Sequence, residues 1–230
     1  MPGLTVDHTV GLRRWLGAWL LAHLVAGAAA RLAIHGLSRF FGDGGPIVVP
    51  LLAGLAFGIA EWAVLRRRLG WSGWWVPVTA LAMTAAGAAV FWLGPLLWRP
   101  VGPGQARAYG IGAGLFTGLV VALAQGALLR QRGWPGRRAL TWLLLGTLGA
   151  GLAHLVSVSL AFSDVLQPPL ISPSANGYLV RDLLFGALNG GIYAAVTALA
   201  VVDPRTTRRG TGADDTRVAG SGWGARPVAP

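Results

Sequence analysis

A chain of 230 residues that is 54% hydrophobic and only 12% charged, with a mean hydropathy of +0.58, is too apolar for an ordinary soluble domain, since such domains carry about 25% charged residues. All 19 basic residues are arginine and the net charge is +11; because these arginines flank apolar runs, anionic lipid headgroups, and not nucleic acid, are the expected counter-charge. The chain has no cysteine, which excludes disulfides, thiolate metal sites and cysteine nucleophiles.

A membrane-spanning helix needs about 20 mainly apolar residues. Six stretches qualify: 15–36, 47–65, 74–97, 109–129, 139–162 and 179–202. The first, within "LRRWLGAWLLAHLVAGAAA", carries His23 and ends near Arg31. It also has the basic, apolar and small-residue order of a signal peptide cleaved near Ala30, which would leave five spans; its fit to the repeat described below favours six. The second span holds Glu61, the only glutamate of the chain. The third follows a cluster of tryptophans, and the fourth carries a glycine stripe at Gly110, Gly114 and Gly118 before Gln125. In the fifth, His154 and Ser157 share a helical face, with no acid spaced to complete a catalytic set and no Gly-x-Ser-Gly element. The last opens on Arg181 and Asp182 and places Asn189 and Tyr193 one turn apart, as polar groups that join helices. His23 and His154 have no further ligand at metal-binding spacing. Residues 204–230 lack apolar periodicity and are expected to be a disordered cytoplasmic tail behind a single bundle over 1–203.

Arginine sets the direction. Arg13, Arg14, Arg66, Arg67, Arg68, Arg130, Arg132, Arg137, Arg138, Arg205, Arg208 and Arg209 fall on one side of the six spans; Arg31, Arg39, Arg99, Arg107 and Arg181 fall on the other. This predicts a protein of the inner (plasma) membrane with both termini in the cytoplasm. Trp15, Trp19, Trp62, Trp71, Trp74, Trp75, Trp134 and Trp142 lie near the same face and are expected to anchor it among headgroups, against Trp92 and Trp98 at the other.

The second span recurs. "G54-LAF-G58-IA-E61-WAV-L65-RRR" aligns with "G118-LVV-A122-LA-Q125-GAL-L129-RQR", and "G186-ALN-G190-GI-Y193" keeps the glycines but ends in Asp-Pro. A helix led by Arg and Trp precedes each copy, so the fold class is all-α integral membrane, with six helices as three hairpin repeats. The repeat predicts approximate three-fold symmetry, glycine helices inside and Arg/Trp-led ends at one rim. Glycines four apart share a face and let a neighbouring backbone approach. Gly54 and Gly58, Gly114 and Gly118, and Gly186 and Gly190 are therefore read as packing ridges within the monomer, with contacts between copies of the chain or a sliding interface in a transporter as the other uses.

The unit G-x-x-x-G-x-x-[Q/E]-x-x-x-L-R-x-R, followed by Trp and a second span, resembles that of uncharacterised bacterial multi-span proteins, which repeat it through the chain. The resemblance covers 54–75 and 118–142 well, implies an integral membrane protein of several hairpins, and brings no activity with it. Glu61 stands where that unit usually has Gln.

An ionisable group inside a span is expensive and a functional candidate by default. Because Gln125 fills the equivalent place, the shared requirement is hydrogen bonding. The reading favoured for Glu61 is a clasp to a nearby arginine (Arg66, Arg68, Arg130 or Arg132); the other is a carboxyl that binds a proton or cation. No phosphate loop, dinucleotide fingerprint or zinc-protease motif occurs, and no cofactor is implied. The expectation is a non-enzymatic polytopic membrane protein acting by helix packing or by contact with lipid or a partner, the alternative being a small proton-coupled transporter using Glu61.

Overall fold

The computed structural model describes residues 8–41, 45–69, 73–97, 103–161 and 175–201. The expected tail at 204–230, Trp71, Trp98 and the side chain of Arg68 lie outside the described residues. Six helices account for nearly all of the rest: α1 (His8–Phe41), α2 (Gly45–Leu69), α3 (Trp75–Leu97), α4 (Pro103–Gln131), α5 (Gly136–Ala161) and α6 (Ala175–Val201). All six are long and apolar enough to cross a membrane.

The turn between α4 and α5 shows how local chemistry ends a span. Gly133 adopts φ 84°, the left-handed conformation that glycine takes without a Cβ penalty. Its N–H bonds to the Arg130 carbonyl (3.0 Å) and that of Trp134 to the Leu129 carbonyl (3.1 Å), so two carbonyls orphaned by the helix end are satisfied. Pro135 then starts α5, its carbonyl accepting from Arg138 (2.9 Å) and Ala139 (3.2 Å).

Each helix packs against its neighbours in the chain, and α6 returns to pack on α1. Among the described residues the backbones of helices that are not neighbours in this order do not come together, and only side chains meet across the middle, so the six form a closed ring. All six line its interior, and the expected division into inner glycine helices and outer partners does not apply.

The closest approaches are at glycine. A Cβ on Gly54 of α2 would stand 2.6 Å from the Ala80 Cα of α3, and one on Gly118 of α4 would stand 2.6 Å from the Ala150 Cβ of α5. Gly186 and Gly190 of α6 lie against the Gly27 and His23 carbonyls of α1 with no room for a Cβ. A Cβ on Gly58 would stand 3.1 Å from the Val76 Cα, and one on Gly114 would meet the His154 side chain. Each glycine-rich helix therefore turns its small face to the Arg/Trp-led helix after it, and the last turns to the first.

Large apolar side chains cover the outside: Leu21, Val25, Leu81, Leu96, Leu123, Leu144, Leu184 and Leu199 are all exposed. Such a surface would associate in water and suits a hydrocarbon surround. Inside, one end of the ring is filled by Trp19, Leu65, Trp75, Ala122, Leu129, Trp142, Ala194 and Ala198, with Trp15, Trp62 and Trp134 packed against them. The expectation that the tryptophans of this face anchor to headgroups holds poorly for three of them. Trp19 (0% exposed), Trp75 (0%) and Trp142 (1%) are core residues, because each faces the ring axis and finds an acceptor there for its indole N–H. Trp74 does remain on the surface.

Candidate functional site

Directly beneath this tryptophan layer lies the acid. Gly58 brings α3 against α2, and Glu61, one turn further along α2, meets the Trp75–Thr79 turn of α3. The Trp75 indole donates to Glu61 Oε2 at 2.8 Å. Gln125 of α4 donates its amide to the same oxygen at 2.7 Å and to Thr79 Oγ1 at 2.9 Å. Its own carbonyl accepts from the Trp142 indole of α5 at 3.1 Å. On the other side of the carboxyl, Glu61 Oε1 faces His23 Nε2 of α1 at 3.3 Å. Glu61 is 1% exposed, and His23 and Gln125 are fully buried. Side chains of three other helices thus bond the one carboxyl group, and Trp142 of a further helix joins through Gln125, in keeping with the rule that a buried polar group must be hydrogen-bonded.

The contacts of His23 bear on where its hydrogens lie. His23 Nδ1 lies 2.9 Å from the Trp19 carbonyl, which only accepts, so Nδ1 carries a hydrogen. The Nε2···Oε1 contact then needs one further proton, since two lone pairs face to face would repel. That proton sits either on Oε1, giving a neutral acid and a neutral imidazole, or on Nε2, giving an ion pair. Both forms have zero net charge, and losing the proton would leave one negative charge among buried indoles.

A cavity of about 260 Å³ extends from this cluster along the ring axis, with Arg31, Phe57, Met83, Val121, Ala153 and Asn189 each contributed by a different helix. On α1 it reaches Ile34, about 16 Å beyond the His23 level at 1.5 Å per residue. Glu61 and Thr79 belong to its lining, as do His154 and Tyr193.

The predicted residues separate into two groups. Glu61 and Gln125, read from the sequence as equivalent positions in two copies, touch each other. Tyr193 also joins the site, its ring 5.5 Å from that of His23 and 6.3 Å from that of Phe57. Asn189 accepts from Ser157 Oγ at 2.9 Å and ties α6 to α5. The arginines go elsewhere. Arg66 lies over the Trp62 ring, 4.5 Å from its centre, Arg130 donates to the Trp134 carbonyl at 3.0 Å, and Arg132 is exposed. Among the described residues, no arginine contacts Glu61, so its partners are histidine, tryptophan and glutamine. The reason is rotational: five residues along a helix turn a side chain by about 140° from where it began, so with Glu61 inward Arg66 points out.

Three members of the site were not foreseen in the sequence: His23, Thr79 and the inward tryptophans. The signal is present as Trp19-x-x-x-His23, Trp75-x-x-x-Thr79 and Trp142-x-x-x-Gly146; aligning the Arg/Trp-led helices on these tryptophans puts all three final residues at one depth. Among the described residues, no group of three side chains is placed to hold a metal ion. No family model matches the chain, and neither do curated proteins or solved structures.

Proposed function

We propose that this is a polytopic membrane protein that admits a small solute to the interior of its ring and couples the solute's movement to the proton shared by Glu61 and His23. One observation carries the reading: a carboxyl group set 3.3 Å from a histidine nitrogen is buried at the end of a cavity lined by all six helices. Ionisable groups inside a membrane are retained where they mark a solute or proton path. Transporters often place such groups between internal repeats. Three related contacts support a three-repeat ring here: the Trp75, Trp142 and Trp19 indoles donate to Glu61, to Gln125 and to the Ala194 carbonyl next to Tyr193. With arginine concentrated at the tryptophan-filled end, that end is cytoplasmic and the cavity lies towards the opposite face.

The test uses proteoliposomes containing a pH-sensitive dye, screened with a panel of small solutes. Solute-dependent proton entry is expected, and Glu61→Gln abolishes it without unfolding the protein. The variant is well matched, because a Gln carbonyl replaces Oε2 for Trp75 and Gln125, and its amide donates to His23 Nε2. Only the exchangeable proton is removed.

A second reading, a non-enzymatic bundle that acts by packing with lipid, a partner or a second copy, is favoured by the saturation of the cluster: both Glu61 oxygens are already hydrogen-bonded. On that reading no solute moves protons and Glu61→Gln is silent in every transport assay.

A further inference from the structure

The cavity has a second polar zone, away from Glu61, and its groups are of the opposite character. Arg31 of α1 lies two turns beyond His23 on the same face, and its stem rests against α6: a Cβ on Gly186 would stand 2.6 Å from Arg31 Cγ. The described residues contain two acids. Glu61 is held by His23, Trp75 and Gln125, and Asp182 by His35 at 3.2 Å with Arg181 at 4.0 Å. Neither is within ion-pair distance of Arg31, so among the described residues this guanidinium has no counter-charge, although it sits within a membrane-spanning helix. A lone cation there is costly unless an anion or water joins it.

The groups around it are also short of partners. His154 Nδ1 donates to the Ala150 carbonyl at 3.0 Å, leaving Nε2 unengaged among the described residues. Asn189 uses its carbonyl for Ser157, leaving its amide N–H groups unengaged there. Arg31, His154 and Asn189 all line the cavity; Arg31 and Asn189 offer hydrogens, and none of the three offers a free anionic acceptor. The rest of the wall at this level is small and apolar, including Gly27, Ala30, Ala150 and Ala153.

From this complementarity we infer that the cavity binds a small organic carboxylate, its two oxygens paired with the Arg31 guanidinium and its short apolar body lying among the alanines and glycines. One guanidinium calls for one negative charge, and a planar pair of N–H donors matches two carboxylate oxygens. The modest volume restricts the body to a few carbons. This assignment rests on the solute-binding reading above by naming its solute class, but not on transport.

Binding is tested by isothermal titration of the full chain in nanodiscs, subtracting empty nanodiscs, with hexanoate as probe and hexylammonium, hexanol and inorganic phosphate as controls. Hexanoate is expected to bind saturably at one site per chain, and the amine and alcohol only to partition. Arg31→Gln should weaken binding at least about tenfold, the equivalent of about 1.4 kcal/mol. Arg31→Lys, which keeps the charge but not the paired donors, should weaken it severalfold and carries the test if the glutamine variant does not fold. Gly112→Ala, with nothing within 4 Å of the added carbon, should bind like the parent. Equal saturable binding of all three six-carbon probes, binding undiminished by both Arg31 variants, or saturable phosphate binding in place of hexanoate would each overturn the assignment. Saturable hexanoate binding without proton flux in proteoliposomes leaves the site standing and removes the transport reading; solute-driven flux indifferent to Arg31 does the reverse.

Discussion

At the scale of single residues, the molecule depends on a few hydrogen bonds among buried side chains. Gln125 uses both ends of its amide: it donates to Glu61 and Thr79 and accepts from Trp142. Gln125→Ala removes all three contacts and leaves the Trp142 N–H buried and unpaired. The expected loss is about 1–3 kcal/mol, read as a lower melting temperature by intrinsic fluorescence in detergent. Gln125→Glu should be worse, because it sets a second carboxyl against Glu61. From sequence, the conflict between one acid and an apolar span marked Glu61, and the repeat marked Gln125 beside it. Their contact was not legible, because sequence alignment shows equivalence of position and says nothing of which equivalent positions meet at an axis. His23 was hidden for a similar reason. The Trp19 carbonyl that fixes its ring is only one turn away, but its role comes from α1 packing against α2 and α6, which is not local in sequence.

At the scale of helices, the controlling feature is how closely backbones meet. The contact between Gly190 and α1 is the tightest case: a Cβ there would run into the His23 carbonyl group, 2.7 Å from its carbon. A backbone cannot yield as the end of a side chain can. Gly190→Ala should push α6 from α1, displace His23 from Glu61, and destabilise by about 1–3 kcal/mol or more, whereas Gly17→Ala on open surface should leave the melting temperature unchanged. Thermal melts of the pair decide the matter, and equal melting temperatures would show that the ring is looser than described. The six apolar spans were legible because hydropathy over about 20 residues is a strong signal. Pairing was less so. Glycine ridges in α2, α4 and α6 announce close packing, but a ridge does not name its partner, and each meets the helix that follows rather than only the one before.

At the scale of the whole molecule, six spans place both ends of the ring's chain on one side, the side filled by Trp19, Trp75 and Trp142. In the orientation proposed above, that arginine-rich end is the cytoplasmic one. Single cysteines introduced at Gly11 and Arg132 in this cysteine-free chain should therefore both be shielded from an impermeant thiol reagent in intact cells and both react after permeabilisation. Labelling of either from outside would reverse the orientation. The aromatic plug and the cavity lie at different levels of the ring, an asymmetry that composition alone does not disclose, since interfacial and buried tryptophans look alike in sequence.

The contact between α1 and α6 also bears on the order of synthesis. Of these six helices, the one made first packs against the one made last, and neither can bury its glycine face until the other is present. Until then Gly27 and the His23 backbone lack the α6 partner they have in the finished ring, so the ring cannot close before the last of these helices is made.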